Sequence, residues 1–201
     1  MILVVCAVAD ELGGFAREGV SVVETGVGPV DAALATARAL AGGSYRALVN
    51  AGIGGGFRGR AAVGDIVIVD VDAYADLGLE NGEPLGLPGG RTLATSAAST
   101  PALVAAARTR IPQASIGRGI TSATVTTSDA RASALDARFA PAVESMEGFA
   151  VLHAAAQAGV PAIEVRGISN LVGDRATRGW DFRSGSTAAV RGLAALLAAI
   201  G

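Results

Sequence analysis

Five apolar, β-branched runs alternate with alanine-rich segments along this chain, and that alternation most narrows the folds open to it. The runs are Ile2 to Val8, Val20 to Val23, Ala47 to Asn50, Asp65 to Val71 and Pro161 to Ile168. Each has the composition of a buried strand. Val30 to Ala41, Pro101 to Thr109, Gly148 to Ala158 and Ser186 to Ile200 read as helices. Strands alternating with helices predict a layered α/β fold. With 51% hydrophobic but only 4% aromatic residues, the core must come mainly from Ala, Val, Leu and Ile. A chain of 201 residues can bury roughly 70% of its unfolded surface, so a sizeable core is expected. No linker, charge block or internal repeat divides the sequence, which predicts a single domain over residues 1–201. The exception in texture is Leu77 to Gly90, whose five glycines and two prolines predict a surface loop, a lid or an oligomer contact.

Sixteen basic residues, all arginine, face eighteen acidic ones, so neither nucleic acid nor an acidic membrane is an expected partner. The opening MILVVCAVAD has no basic segment ahead of its apolar run. No run reaches the 18 or so apolar residues that span a bilayer, and a soluble cytoplasmic protein is expected. Cys6, the single cysteine, reads as a buried inert thiol. One cysteine and one histidine make a zinc site an unsuitable reading, and no metal is expected.

In open α/β sheets ligands bind beyond the carboxyl ends of the strands. The sequence delivers Asp10-Glu11 after the first run, Glu24 to Gly28 after the second, Asn50 to Gly56 after the third and Arg166 to Asn170 at the last. Taken singly, GVG and GIGGG suit a tight turn as well as a ligand loop. Neither continues into a P-loop, and Gly52, Gly54 and Gly56 do not make a dinucleotide fingerprint. Glu147 opens an almost wholly apolar helix, where a carboxylate favours the helix dipole or serves a ligand.

Together these stretches resemble the purine nucleoside phosphorylase and nucleosidase superfamily, in particular the hydrolase branch that includes methylthioadenosine/S-adenosylhomocysteine nucleosidase and futalosine hydrolase. The elements occur in family order: Ala-Asp-Glu at 9 to 11, Thr-Gly-Val-Gly-Pro-Val-Asp-Ala-Ala at 25 to 33, Asn-Ala-Gly-Ile-Gly-Gly at 50 to 55, Val-Gly-Asp-Ile-Val at 63 to 67, Met-Glu at 146 to 147 and Arg-Gly-Ile-Ser-Asn at 166 to 170. The resemblance implies a three-layer α/β/α domain with a central mixed, partly barrel-like sheet, a homo-oligomer, and no cofactor.

The resemblance also implies roles. Glu11 matches the carboxylate that activates water. Arg166 matches an arginine near that water, a position an ion pair alone would also explain. Glu147 matches the acceptor of the ribose hydroxyls. Met146 and Val27 match contacts to the sugar, and Gly54 and Gly55 belong to the substrate loop. Asn170 falls where adenine-specific nucleosidases carry an aspartate that protonates N7. An amide can instead donate to a 6-oxo group and accept from a protonated N7. The implied base is hypoxanthine or guanine, and the expected reaction is hydrolysis of futalosine to hypoxanthine and dehypoxanthinyl futalosine. No arginine precedes Arg17, so the early phosphate site of the hexameric phosphorylases is lacking. A phosphorylase for inosine-like nucleosides, a methylthioadenosine-type nucleosidase and a non-catalytic nucleoside sensor are the alternatives. Ile53 stands where nucleosidases commonly have serine. Arg58, Arg175, Trp180 and Phe182 are candidates for the remote carboxyphenyl group, with Trp180 equally an ordinary packing aromatic. Thr124 to Thr127 are placed beside the base, and His153 is expected to be a core or interface residue.

Overall fold

Strand β1 (Ile2–Cys6) shows why the sheet is covered on both faces. Its Ile2, Val4 and Cys6 pack on one side with Leu193, Leu196 and Leu197. Leu3 and Val5 pack on the other with Phe149, Val151 and Leu152. Alternation with a period of two, apolar on both faces, needs a helix layer above and below. The computed structural model describes residues 1–79, 83, 85–174, 176 and 179–200. Its further strands are β2 (Val20–Glu24), β3 (Ala47–Gly56), β4 (Ile66–Tyr74), β5 (Ser96–Ala98), β6 (Ser115–Thr121), β7 (Val143–Ser145) and β8 (Ala162–Leu171). The helices are α1 (Pro29–Gly42), α2 (Pro101–Arg110), α3 (Asp129–Phe139), α4 (Gly148–Gln157) and α5 (Phe182–Ile200). Helices α2 and α5 cover one face, while α1 and α4 cover the other. This is the expected three-layer arrangement.

The sheet is mixed. β3 pairs in parallel with β8, β8 antiparallel with β4, β4 in parallel with β6, β6 in parallel with β7, and β7 antiparallel with β3. These five strands therefore close into a ring, with β1 and β2 extending from β3, and β5 from β4. Ala61, Val67, Val69, Val143 and Ile168 form an apolar cluster of their own within it. Closure brings Gly55 level with Glu144 on one neighbour and Asn170 on the other.

Two local expectations are corrected. GIGGG does not leave the sheet: β3 continues from the expected end at Asn50 to Gly56, and its glycines sit against neighbouring side chains that a Cβ would strike. β5, β6, β7 and α3 were not foreseen, because SIGRGIT mixes glycine and arginine and β5 and β7 have three residues each. The surface loop expected over 77–90, as a lid or an oligomer contact, includes Glu80, Asn81, Gly82 and Pro84, which lie outside the described residues. Among the described residues no helix is long and apolar enough to cross a membrane, and no group of three or more His, Cys, Asp or Glu could hold a metal ion.

Candidate active site

The first side chain delivered at the carboxyl ends of the strands is Glu11. It comes from a short 3-10 turn, Ala9–Leu12, that follows β1 and is held to β2 by the Ala9 amide donating to Glu24 Oε2 at 2.7 Å. Glu11 points inward and is 7% exposed, while Asp10 faces solvent. Gly52 decides what it meets. A Cβ there would stand 2.6 Å from Glu11 Oε2 and 2.8 Å from Arg166 Nη1, so only a bare Cα lets both side chains lie over β3.

Arg166, on β8, is 1% exposed and forms the floor beneath the site without lining it. Its Nε donates to Glu164 Oε1 at 2.8 Å, its Nη1 donates to the Ile53 carbonyl at 3.3 Å, and Nη1 lies 3.7 Å from Glu147 Oε2. The contact at position 53 is thus a backbone one, which any side chain there would leave in place.

Glu147 precedes α4 but does not cap it. Its Oε1 accepts from the Gly28 amide at 3.0 Å, across the sheet at the start of α1. Gly28 has φ 97°, a left-handed-side conformation that glycine adopts freely and that aims this N–H at the carboxylate.

Buried acids so close together cannot all ionise at their ordinary pKa values. Burial pushes the Glu11 carboxyl up to about 7, with Arg166 opposing and Glu147 adding to the rise. Its Oε2 has no hydrogen-bond partner among the described residues. A carboxyl poised near neutrality in the wall of a cavity can accept a proton from a bound water. Burial likewise raises Glu164, against the pull of Arg166, and raises Asp72, beside Glu164 and despite its bond from Thr121 Oγ1 at 2.7 Å. The Arg166 guanidinium is held protonated by Glu164, Glu147 and Glu11.

The cavity above this floor holds about 280 Å³, the scale of a nucleoside. Glu11, Val27, Gly54, Gly55, Met146, Glu147 and Asn170 line it together with Thr124, Val125 and Glu144. Asn170 is set from behind: Ser169 Oγ lies 3.0 Å from Asn170 Oδ1 and receives Trp180 Nε1–H at 3.2 Å. Trp180, 54% exposed, and Phe182 stand at the cavity's edge with their rings edge to face at 5.5 Å.

Other candidates lie elsewhere. Arg58 lines a separate groove with Phe57 and Asp129, and Arg175 is outside the described residues. His153 stacks on Phe149 at 5.2 Å on the side of α4 that faces α1. Cys6 is buried, and burial pushes its thiol up to about 12, which keeps it unreactive at neutral pH. Sequence reasoning missed Asp72, Glu144 and Glu164. For Asp72 and Glu164 the signal was an acid inside an otherwise apolar β run, as in IVIVDVDAY and AIEVR, whereas Glu144 lies in a strand of three residues that gives none.

The model of the Phosphorylase superfamily matches residues 3–200. The chain belongs to that superfamily. Within it, the futalosine hydrolase of Streptomyces coelicolor is 40% identical over 169 residues, 81% of this chain and 72% of that protein. The futalosine hydrolase of Thermus thermophilus is 31% identical over 190 residues, 92% of this chain and 84% of that one. Among solved structures, the methylthioadenosine/S-adenosylhomocysteine nucleosidase of Colwellia psychrerythraea, in complex with adenine, superposes with a TM-score of 0.83 at 24% identity. That match covers 98% of this chain and 94% of the other. The site gathers beyond the carboxyl end of β1, where the parallel strands β3 and β8 run on past it.

Proposed function

We propose that this chain is a nucleosidase that hydrolyses the N-glycosidic bond of a 6-oxopurine nucleoside, futalosine, releasing hypoxanthine and dehypoxanthinyl futalosine. The observation that carries the reading is the Asn170 amide in the wall of a nucleoside-sized cavity that also holds the Glu11 carboxylate. The likeness to two futalosine hydrolases over most of the chain supports it.

Each residue then has a step. Glu147 accepts the ribose hydroxyls, with the Gly28 amide holding its other side. The Glu11 carboxylate accepts a proton from water as the water oxygen bonds to the anomeric carbon. The glycosidic electron pair leaves with N9 of the base, through an oxocarbenium-like transition state. N7 takes its proton from solvent, and Asn170 stabilises the leaving base by accepting from N7–H and donating to O6. Such a contact is worth on the order of 3 kcal/mol in the transition state. Trp180 and Phe182 offer the remote aryl group an apolar surface.

Incubation with futalosine and with inosine, each with and without phosphate, tests the reaction. Hypoxanthine release from futalosine independent of phosphate is expected, and strict phosphate dependence would exclude water as the nucleophile. Asn170→Asp restores a proton donor and an acceptor suited to a 6-amino group. Its preference for futalosine over the 6-amino analogue should fall by about 10²-fold or more in kcat/KM.

The chain should act as a cytoplasmic homo-oligomer, as the resemblance to dimeric and larger relatives implies. An apolar groove of about 770 Å³ between α1 and α4 exposes Val30 and Leu34, and a second copy would cover it. Sedimentation of Leu34→Glu should show a smaller species than the wild type, whereas an unchanged mass would exclude this face as the interface.

A further inference from the structure

Glu164 is fully buried inside β8 and has no part in the steps assigned above. Its neighbours Ile163 and Val165 face the α2 and α5 layer, which leaves Glu164 and Arg166, two residues apart, together on the opposite face. An acid in that position is costly, so its presence in an apolar strand needs a compensating role. We propose that Glu164 is a positioning residue: by holding the Arg166 guanidinium at Nε it keeps that cation from closing on Glu11, and so leaves the base available to water. This rests on the reading of Glu11 as the base.

The guanidinium is committed elsewhere than to Glu11. Its shortest contact is the Nε–H donated to Glu164 Oε1 at 2.8 Å, while Nη1 donates to the Ile53 carbonyl at 3.3 Å and lies 3.7 Å from Glu147 Oε2. Glu11 Oε2 stands beside Nη1 over the bare Cα of Gly52, yet receives no hydrogen bond. Glu11 therefore feels the field of the cation without the forked pair that a guanidinium makes with a carboxylate. The charged groups facing Glu11 are Arg166 from β8 and Glu147 from the start of α4. Cys6 of β1 stays a neutral thiol, Glu24 of β2 is exposed and holds the Ala9 amide, and Arg183 and Arg191 of α5 are exposed.

Asp72 backs Glu164 and decides which of the two carries the charge. A Cβ on Gly148, the first residue of α4, would lie 2.4 Å from Asp72 Oδ2 and 2.6 Å from each Glu164 oxygen, so the two carboxyls face each other across a bare Cα. The Phe149 amide donates to Thr121 Oγ1 at 2.7 Å, which leaves the Thr121 hydroxyl hydrogen for Asp72 Oδ1, also at 2.7 Å. A proton on Asp72 then sits on Oδ2, the side toward Glu164. Burial, with Glu164 adding to it, raises Asp72 well above the carboxylate range, whereas Glu164 is in contact with the guanidinium. Asp72 holds the proton, and Glu164 is the anion that balances Arg166.

Glu164→Gln keeps the shape and removes the charge, so the guanidinium turns to Glu11. The quantity to measure is the acid limb of kcat/KM for futalosine, which in wild type lies at about 7. In Glu164→Gln it should move down by about 1–3 pH units, the shift a neighbouring cation imposes on a carboxylate. The ratio of kcat/KM at pH 5 to that at pH 8 is internal to each sample, so partial misfolding cancels, and it should rise about tenfold or more. Asp72→Asn replaces a neutral acid by a neutral amide and should leave the limb in place. Added to Arg166→Met, Glu164→Gln should move the limb no further, because the cation it acts through is gone. That comparison also serves if the single variant does not fold, since the double variant has lost both members of the pair. A limb at the wild-type position in Glu164→Gln, a limb displaced downward in Asp72→Asn, or a further shift in the Arg166→Met background overturns this assignment alone. A wild-type profile without the limb overturns the reading of Glu11 as well.

Discussion

Glu11→Gln is expected to lower futalosine turnover by about 10²–10⁴-fold, the range general-base removal gives, while hypoxanthine still binds, because no base contact is assigned to Glu11. The wild-type kcat/KM should fall with unit slope as pH drops through about 7, where Glu11 gains its proton. In the glutamine variant that limb should vanish from the residual rate. Stability should change in the opposite sense to activity. The folded-state pKa of Glu11 lies above the ordinary carboxylate value of 4.5. Between those two values the folded protein holds a proton that the unfolded chain has released. Stability therefore declines as pH rises through that window, by about 3 kcal/mol in total. Glu11→Gln removes the buried charge and should be the more stable protein at pH 8, with the advantage gone near pH 4. Denaturant titrations of both proteins at the two pH values measure it. An activity profile flat from pH 5 to 9 in the wild type would reject Glu11 as the base.

Arg166→Met should produce the largest loss of stability. The guanidinium faces Glu164 at 2.8 Å and Glu147 at 3.7 Å, and lies with Glu11 over Gly52. All four side chains are buried. Removing one partner of a buried charge set costs about 3–5 kcal/mol, because the remaining charges are left without compensation. For a chain of this length that corresponds to a fall in Tm on the order of 10 °C. The acids of the variant would have folded pKa values above their unfolded ones, so its stability is present at low pH and lost as pH rises. The deficit against wild type should therefore be smaller at pH 5 than at pH 8. A deficit independent of pH would show that packing, not charge, is what Arg166 supplies. Arg166→Lys keeps the charge but not the planar fork that reaches Glu164 and the Ile53 carbonyl together, and should recover only part of the loss.

The buried acids also show why the site was only partly legible along the chain. Glu11, Glu147 and Asn170 stand at the ends of apolar runs, where an α/β sheet presents ligand-binding groups, and that position was readable. Glu144 and Asp72 sit inside strands whose existence or extent was not. β7 is three residues long, and a polar residue in so short a piece carries no periodicity. The sequence leaves Arg166 either beside the attacking water or in an ion pair. In the folded chain its guanidinium is buried with Glu11 over the bare Cα of Gly52 and pairs with Glu164.

The order of apolar runs and alanine-rich segments determined by itself that strands and helices would form layers, because each period can bury its residues in only one way. The same stretches, read together, also singled out the acid that opens α4 and the amide at the end of β8, through their resemblance to the superfamily. Tertiary structure alone decided that β3, β8, β4, β6 and β7 close into a ring, since closure depends on which edges meet and not on any local preference. That closure sets Glu144 and Asn170 on either side of Gly55, a relation between residues 26 positions apart that no stretch of sequence contains.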